Sequence, residues 1–192
     1  SGEWVEKKIC EVGKVITGST PSRSNPDLWN GNFVWVSAQD LKSKYIVDSV
    51  EKITEDGKNT CRVLPPNSVL VTCIASIGLN ALSKMACATN QQINSVVCNS
   101  DNEPEFLYYQ INNNVENLKM IAGQTAVPII NKGQFENFTL MFPNTKPEQT
   151  AIANILTDMD NEIAQLEKER DKYKDLKAGM MQVLLTGRVR LV

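Results

Sequence analysis

The sequence predicts an α+β protein. A mixed α and β globular domain over residues 3–143 is followed by one long helix over 144–187 and a short tail, 188–192. Three observations lead there. Apolar, β-branched runs of strand length, Val69 to Ile74 foremost, are separated by Gly, Pro and Asn turns. A segment opened by Asn102-Glu103-Pro104 places Leu107, Ile111, Val115 and Leu118 on one helical face, the pattern of a helix packed on a core. From Thr145 to Leu185 a helical pattern runs on, with apolar residues recurring every 3.5 residues on average. The 192 residues, 42% of them apolar, suit one folded, soluble domain of ordinary size plus that helix.

Taken in order, Trp4, Ile9, Val12 and Ile16 fit a short amphipathic segment. The run Gly18 to Pro26 is a loop by composition, and its hydroxyls either contact phosphates and base edges or satisfy their own backbone. Asn30-Gly31-Asn32 reads as a turn into the buried strand Phe33–Val36, with Trp29 packed beside it. Gln39 to Tyr45 is polar, with Lys42, Lys44 and Tyr45 forming a small basic and aromatic cluster or an ordinary solvated loop. Pro65 to Ser68 turns into the strand Val69–Ile74, and Ser76 to Asn80 turns again, Gly78 marking a turn or bulge. Strands then follow over Ala81–Met85 and Gln91–Val97. After the helix through Leu118 come a loop at Gly123-Gln124-Thr125, an edge-like strand Val127–Ile130 limited by Pro128, and a last strand Phe138–Pro143.

The long helix has marked ends. Thr145 and Glu148 have capping-box spacing with Pro147 in the first turn, and Thr186-Gly187 supplies a stop. About 1.5 Å per residue gives a rod of roughly 60 Å. Its seam runs Ile152, Leu156, Met159, Ile163, Leu166, Arg170, Tyr173, Lys177, Met180 and Leu184, a stripe that asks for a second helix. Acids Glu167, Asp171 and Asp175 and bases Lys168 and Lys172 form separate rows. Two readings stand: the rows pair with an antiparallel neighbour, or opposite charges pair at i, i+3 within one helix, as Glu167 with Arg170.

Composition removes much chemistry. There is no histidine, so neither the commonest general base nor a Ser-His or Cys-His pair exists. The cysteines, Cys10, Cys61, Cys73, Cys87 and Cys98, have no metal-ligand spacing and read as buried reduced thiols. No G-x-G cofactor loop or phosphate loop is present, and neither a cofactor nor a metal is expected. Twenty basic and 22 acidic residues give a net charge of -2. Residues 1–146 hold 13 basic and 14 acidic groups, so a nucleic-acid site must be a local patch. No apolar run reaches the ~18 residues of a membrane span, and a cytoplasmic location is expected. One catalytic pattern stands out: Asp27 after Pro26, with Asp40-Leu41-Lys42, matches the Pro-Asp then Asp-x-Lys arrangement of metal-dependent nucleases, although Asp27 lies in a loop.

A family resemblance runs the chain's length. Gly18-Ser19-Thr20-Pro21-Ser22, Trp29-Asn30-Gly31, Val34-Trp35-Val36 with Asp40-Leu41, Ile77-Gly78 and Asn90-Gln91-Gln92 resemble a target recognition domain of type I restriction-modification specificity subunits. Phe142-Pro143, then Pro147-Glu148-Gln149-Thr150-Ala151-Ile152-Ala153 leading a long helix to Leu184-Leu185-Thr186-Gly187, extend the likeness. The resemblance implies a non-catalytic subunit whose two recognition domains each read half of a split duplex DNA target, held apart by two antiparallel helices. Separate methyltransferase and restriction subunits would do the chemistry. This chain holds one domain and one helix, so it is a half-length subunit pairing as a homodimer or a fragment of a longer one. Candidate DNA-binding residues are Thr20, Ser22, Arg23, Lys42, Lys44, Tyr45, Asn80, Lys84, Gln91, Gln92 and Lys132. Two alternatives remain: a nuclease using Asp27, Asp40 and Lys42, and a coiled-coil scaffold that never touches DNA.

Overall fold

The computed structural model describes residues 3–123 and 126–191. The loop expected at Gln124-Thr125 and the final residue of the tail, Val192, lie outside the described residues. The chain divides into two compact units, Ser1–Thr150 and Ala151–Val192.

In the first unit, β1 (Trp4–Lys8), α1 (Ile9–Val12) and β2 (Gly13–Thr17) precede β3 (Trp29–Val36), β4 (Tyr45–Ile46), β5 (Glu51–Ile53) and α2 (Glu55–Asn59). Then come β6 (Val69–Thr72), β7 (Asn80–Ser83), β8 (Ala88–Thr89), β9 (Ile93–Cys98), α3 (Pro104–Asn113), α4 (Val115–Ala122), α5 (Lys132–Glu136) and β10 (Thr139–Pro143). A five-stranded sheet has the order β2-β9-β6-β7-β4, antiparallel except for the parallel pair β4–β7. A three-stranded sheet, β5-β3-β8, and the antiparallel pair β1–β10 complete it.

Burial explains these choices. All four residues of β6 are buried, as a central strand covered on both faces requires, so the continuous apolar run of the sequence is a true signal. Val36, Leu64, Leu70 and Ile93 are almost wholly buried in one apolar cluster, and Trp35, Ile53 and Ala88 form a second. Phe106 of α3 meets Trp4 and Phe142 edge-on, with ring centroids 5.9 and 5.1 Å away, tying α3 to the β1–β10 pair.

Several local expectations change. The amphipathic segment Trp4 to Ile16 is strand, one helical turn, strand, because β1 pairs with β10 and β2 with β9. Asn30-Gly31-Asn32 is not a turn but an irregularity inside β3: Trp29 and Phe33 both face Ile53, and Asn30 has φ 61°. The single helix through Leu118 is two, broken at Asn114, whose side-chain amide donates to the Gln110 carbonyl at 2.9 Å. Strand 81–85 is shifted to Asn80–Ser83, and Gln91-Gln92 precede β9 rather than belonging to it. Val127–Ile130 forms only an isolated bridge between Ile74 and Ile129. Among the cysteines, Cys73 and Cys87 are buried and burial pushes their thiols up to about 11 and about 12, whereas Cys10 is exposed.

The long helix, α6, spans Lys146–Leu184. Its first turn belongs to the first unit, for a chemical reason. The Gln149 side chain is fully buried: its oxygen accepts from the Glu103 amide at 2.9 Å and its nitrogen donates to the Pro143 carbonyl at 3.1 Å. Beside it, buried Asn102 donates to Asn99 at 2.7 Å and accepts from the Lys7 ammonium at 3.1 Å. Thr150 donates to Glu103 at 3.2 Å. These bonds join the end of β10, the start of α6 and the loop before α3.

In the second unit the apolar side chains of α6 face solvent: Met159 is 54% exposed, Leu166 57% and Tyr173 59%. Of the two charge readings, the intrahelical one is present, since Arg170 lies 3.8 Å from Glu167 and Lys174 3.3 Å from Asp171. The expected stop is also there. Gly187 takes φ 69°, Arg188 donates back to the Val183 carbonyl at 3.1 Å and Gly187 to that of Leu184 at 3.3 Å, the Schellman pattern. Among the described residues no helix is long and apolar enough to cross a membrane.

Replacing Gln149 by Leu keeps the volume but orphans the Glu103 amide and the Pro143 carbonyl. A stability loss of about 2 kcal/mol or more is expected in urea unfolding, and a loss under about 0.5 kcal/mol would reject the joint as a main support.

Candidate nucleic-acid interface

The loop from Gly18 to Pro26 is held from beneath by two tryptophans. Trp35 of β3 donates its indole N–H to the Ser19 carbonyl at 3.0 Å, and Trp29 donates to the Ser22 carbonyl at 3.1 Å. The two rings pack edge to face with centroids 5.1 Å apart. The loop enters through Gly18, where a Cβ would overlap the Asn90 carbonyl and the Thr89 hydroxyl, so only glycine fits. The Ser19 amide donates to the Thr89 carbonyl at 2.7 Å. A loop whose carbonyls are fixed in this way presents its side chains at defined places.

Thr20 donates its hydroxyl to the Gln91 side chain, bringing together two candidates far apart in sequence. Ser22 and Ser24 share a hydrogen bond of 2.8 Å. Arg23 stacks its guanidinium 3.7 Å from the Trp29 ring centroid and makes a two-pronged pair with Glu51, one prong at 2.8 Å. That hydrogen bond holds the Glu51 carboxyl below the usual carboxylate range and raises the guanidinium of Arg23. An open cavity of about 620 Å³ lies between Arg23, Trp29, Asn30 and Glu51.

A second group forms where β4 lies parallel to β7, with Tyr45 opposite Leu82 and Ile46 opposite Ser83. This register puts Lys44 and Tyr45 beside Lys84. All three meet Glu105 of α3: the Tyr45 hydroxyl donates to it at 2.8 Å, and Lys44 and Lys84 lie 3.4 and 3.7 Å away. Lys44 also donates to the Tyr109 hydroxyl at 2.9 Å, and the Lys84 ammonium sits 3.9 Å from the Tyr45 ring centroid. Burial first, and then the bond to Glu105, raise the Tyr45 phenol above its ordinary range. Two ammonium groups share one carboxylate, leaving a local surplus of positive charge. Neither Glu51 nor Glu105 has a sequence signal marking it as a partner.

The remaining candidates fall elsewhere. Gln92 is partly buried and bonded to Asn90 at 3.2 Å. Lys42 is exposed, with no ion pair among the described residues. Lys132 opens α5, 3.4 Å from Glu136. Asn80 is removed from the exposed set: it is 8% exposed within β7, its nitrogen donating to Asn112 at 2.8 Å. The nuclease pattern loses its geometry, because the Asp40 carboxylate accepts from the Ser37 amide at 2.8 Å, the Ser37 hydroxyl at 3.0 Å and the Val50 amide at 2.9 Å. Asp27 lies in a 3-10 turn, Pro26–Leu28. Among the described residues no three acidic, Cys or His groups are placed to hold a metal.

Residues 1–173 match the family described as "Type I restriction modification DNA specificity domain". The chain is 30% identical over 176 residues to the MjaIX specificity subunit of Methanocaldococcus jannaschii, covering 88% of this chain and 40% of that protein. It is 27% identical over 194 residues to the EcoR124I/EcoR124II specificity subunit of Escherichia coli, covering 91% and 47%. The chain thus spans less than half the length of these relatives. The solved HsdS subunit from Thermoanaerobacter tengcongensis shares the fold at TM-score 0.68 and 19% identity, over 94% of this chain and 44% of that one. The type I S subunit from M. genitalium does so at TM-score 0.65 and 17% identity, over 95% and 46%.

A carboxylate whose folded pKa is depressed adds stability above its unfolded value, about 4.3, and loses it as pH falls through the folded one. Acid titration below about pH 4 should therefore release Arg23 from Glu51 and change the tryptophan fluorescence. Glu51→Gln should show the released signal at neutral pH with no such transition. The same acid transition in both proteins would refute the pairing.

Proposed function

Since the chain belongs to the type I restriction modification DNA specificity domain family, we propose that it is the DNA-reading part of a type I restriction-modification complex. The observation that carries this is the extent of the match. It runs from the first residue to Tyr173, taking in the globular unit and most of α6 together.

In this reading the globular unit reads one half of a bipartite duplex target. Thr20, Ser22, Arg23 and Gln91 face base edges from the tryptophan-backed loop, and Lys42, Lys44, Tyr45, Lys84 and Lys132 approach phosphates. Gln92 is kept with them as a candidate DNA contact. The chain itself carries no chemistry: it docks a methyltransferase subunit, and the restriction subunit joins through the complex in the cytoplasm. The second half-site is read by a second unit of the same kind, most simply another copy of this chain. Two copies pair antiparallel through the α6 seam, whose exposed Met159, Ile163, Leu166, Tyr173 and Met180 are unpartnered in the single chain. A two-fold homodimer then reads a palindromic, interrupted target. The roughly 60 Å of helix spans about 18 base pairs, so helix length sets the gap.

With residues 1–146 at 13 basic against 14 acidic groups, the chain alone should bind duplex DNA weakly. Tight binding is expected only with the methyltransferase subunit present, and nanomolar binding by the isolated chain at physiological salt would contradict this. Sedimentation of the purified chain should show a dimer, which Leu166→Glu dissociates. A stable monomer would dismiss the seam as a self-association surface. Deleting one heptad from α6 shortens it by about 10 Å and should change the gap by a few base pairs with both half-sites unaltered. An unchanged gap would rule out the helix as its determinant.

A further inference from the structure

The edge strand β2 carries a second basic feature that neither the loop nor the Glu105 group includes. Beside it lies a groove of about 670 Å³ lined by Lys14, Thr17, Arg62, Val63 and Lys132 among others, with no acidic residue in its lining. Lys14 stands exposed on β2 between buried neighbours, and Arg62 follows α2 by three residues. Lys132 comes from the far end of the unit, on α5. Three cations from separate parts of the chain therefore converge in a unit whose net charge is close to zero.

The way Arg62 is held makes the convergence informative. One guanidinium nitrogen donates to the Thr17 carbonyl at 2.7 Å and the Gly18 carbonyl at 3.2 Å. Neutral acceptors fix its position without cancelling its charge. Among the described residues neither Arg62 nor Lys14 has a carboxylate within ion-pair distance, and Lys132 shares its charge with Glu136 at 3.4 Å. The groove also joins the candidate loop directly, since the Arg62 amide donates to the Ser19 hydroxyl at 3.0 Å. Because Arg62 occupies the Thr17 carbonyl, a peptide adding as a further strand would lose a needed acceptor.

We propose that the groove of Lys14, Arg62 and Lys132 holds the sugar–phosphate backbone of duplex DNA beside the loop at residues 18–26. The proposal rests on the DNA-reading function above and assigns it a backbone contact surface. Phosphate contacts of this kind fix register and orientation while carrying no sequence preference.

The test uses the chain assembled with its methyltransferase subunit, titrated with mixed-sequence duplex DNA over a range of salt concentrations. Each phosphate contact contributes about 0.9 to the slope of log affinity against log salt. Lys14→Gln with Lys132→Gln should flatten the slope by about 1 to 2 and weaken binding equally across sequences. Arg62→Gln should flatten it further. The paired lysine variant removes only the half-exposed i, i+4 pair of Lys132 with Glu136 and no bond to the loop, so it remains informative if Arg62→Gln disturbs the loop. Lys119→Gln, an exposed lysine paired with Glu116 elsewhere, should leave the slope unchanged. An unchanged slope in the lysine pair, or an equal change in Lys119→Gln, overturns the groove. Absence of DNA binding by the unaltered assembly would overturn the underlying function and the groove with it.

Discussion

The buried amide of Gln149 is the constraint on which the architecture turns. A glutamine in an apolar interior is costly unless both ends of its amide are paired. Here one end holds the backbone entering α3 and the other holds the last residue of β10. The first turn of α6 is therefore part of the globular core. The preceding strand is in turn tied to β1, and α3 to both through the Trp4, Phe106 and Phe142 rings. One side chain thus connects the first turn of α6 to a sheet, a helix and an aromatic cluster.

The candidate interface follows a different rule, in which cations are positioned by groups a polyanion can replace. Lys44 and Lys84 share Glu105, and Arg23 is matched to Glu51. Such pairs orient long, flexible side chains before any ligand arrives, which lowers the ordering cost of binding. They also reduce the attraction felt by DNA at a distance. Both effects agree with a unit that carries almost no net charge, and with the proposal that tight binding requires a partner subunit.

Legibility from the sequence varied with the range of the interactions involved. The α6 boundaries, the stop at Gly187, β6 and β10 were readable, because capping, αL glycine and continuous apolar runs are local signals. The pairing of β1 with β10 was not, since Trp4 meets Pro143 across nearly the whole unit. The two-residue strands β4 and β8 exist only through parallel neighbours, and nothing in Tyr45-Ile46 or Ala88-Thr89 announces them. Asn114 breaks an otherwise regular pattern by bonding back onto Gln110. For the interface, residue types pointed to Arg23, Lys44 and Lys84, but their acidic partners lie 28 and 61 residues from Arg23 and Lys44 and could be found only by folding the chain.

The Arg23–Glu51 fork has a consequence for discrimination. Any base edge that Arg23 reads must displace an acceptor that already matches both guanidinium prongs. A guanine edge, with two acceptors in line, can replace it, whereas a base offering one acceptor leaves Arg23 better satisfied by its own carboxylate. In the DNA-reading role proposed above, Glu51 would act as an internal competitor, setting a threshold that a sequence must exceed before the arginine is released. Fidelity at such a position would come from what the unbound protein already holds.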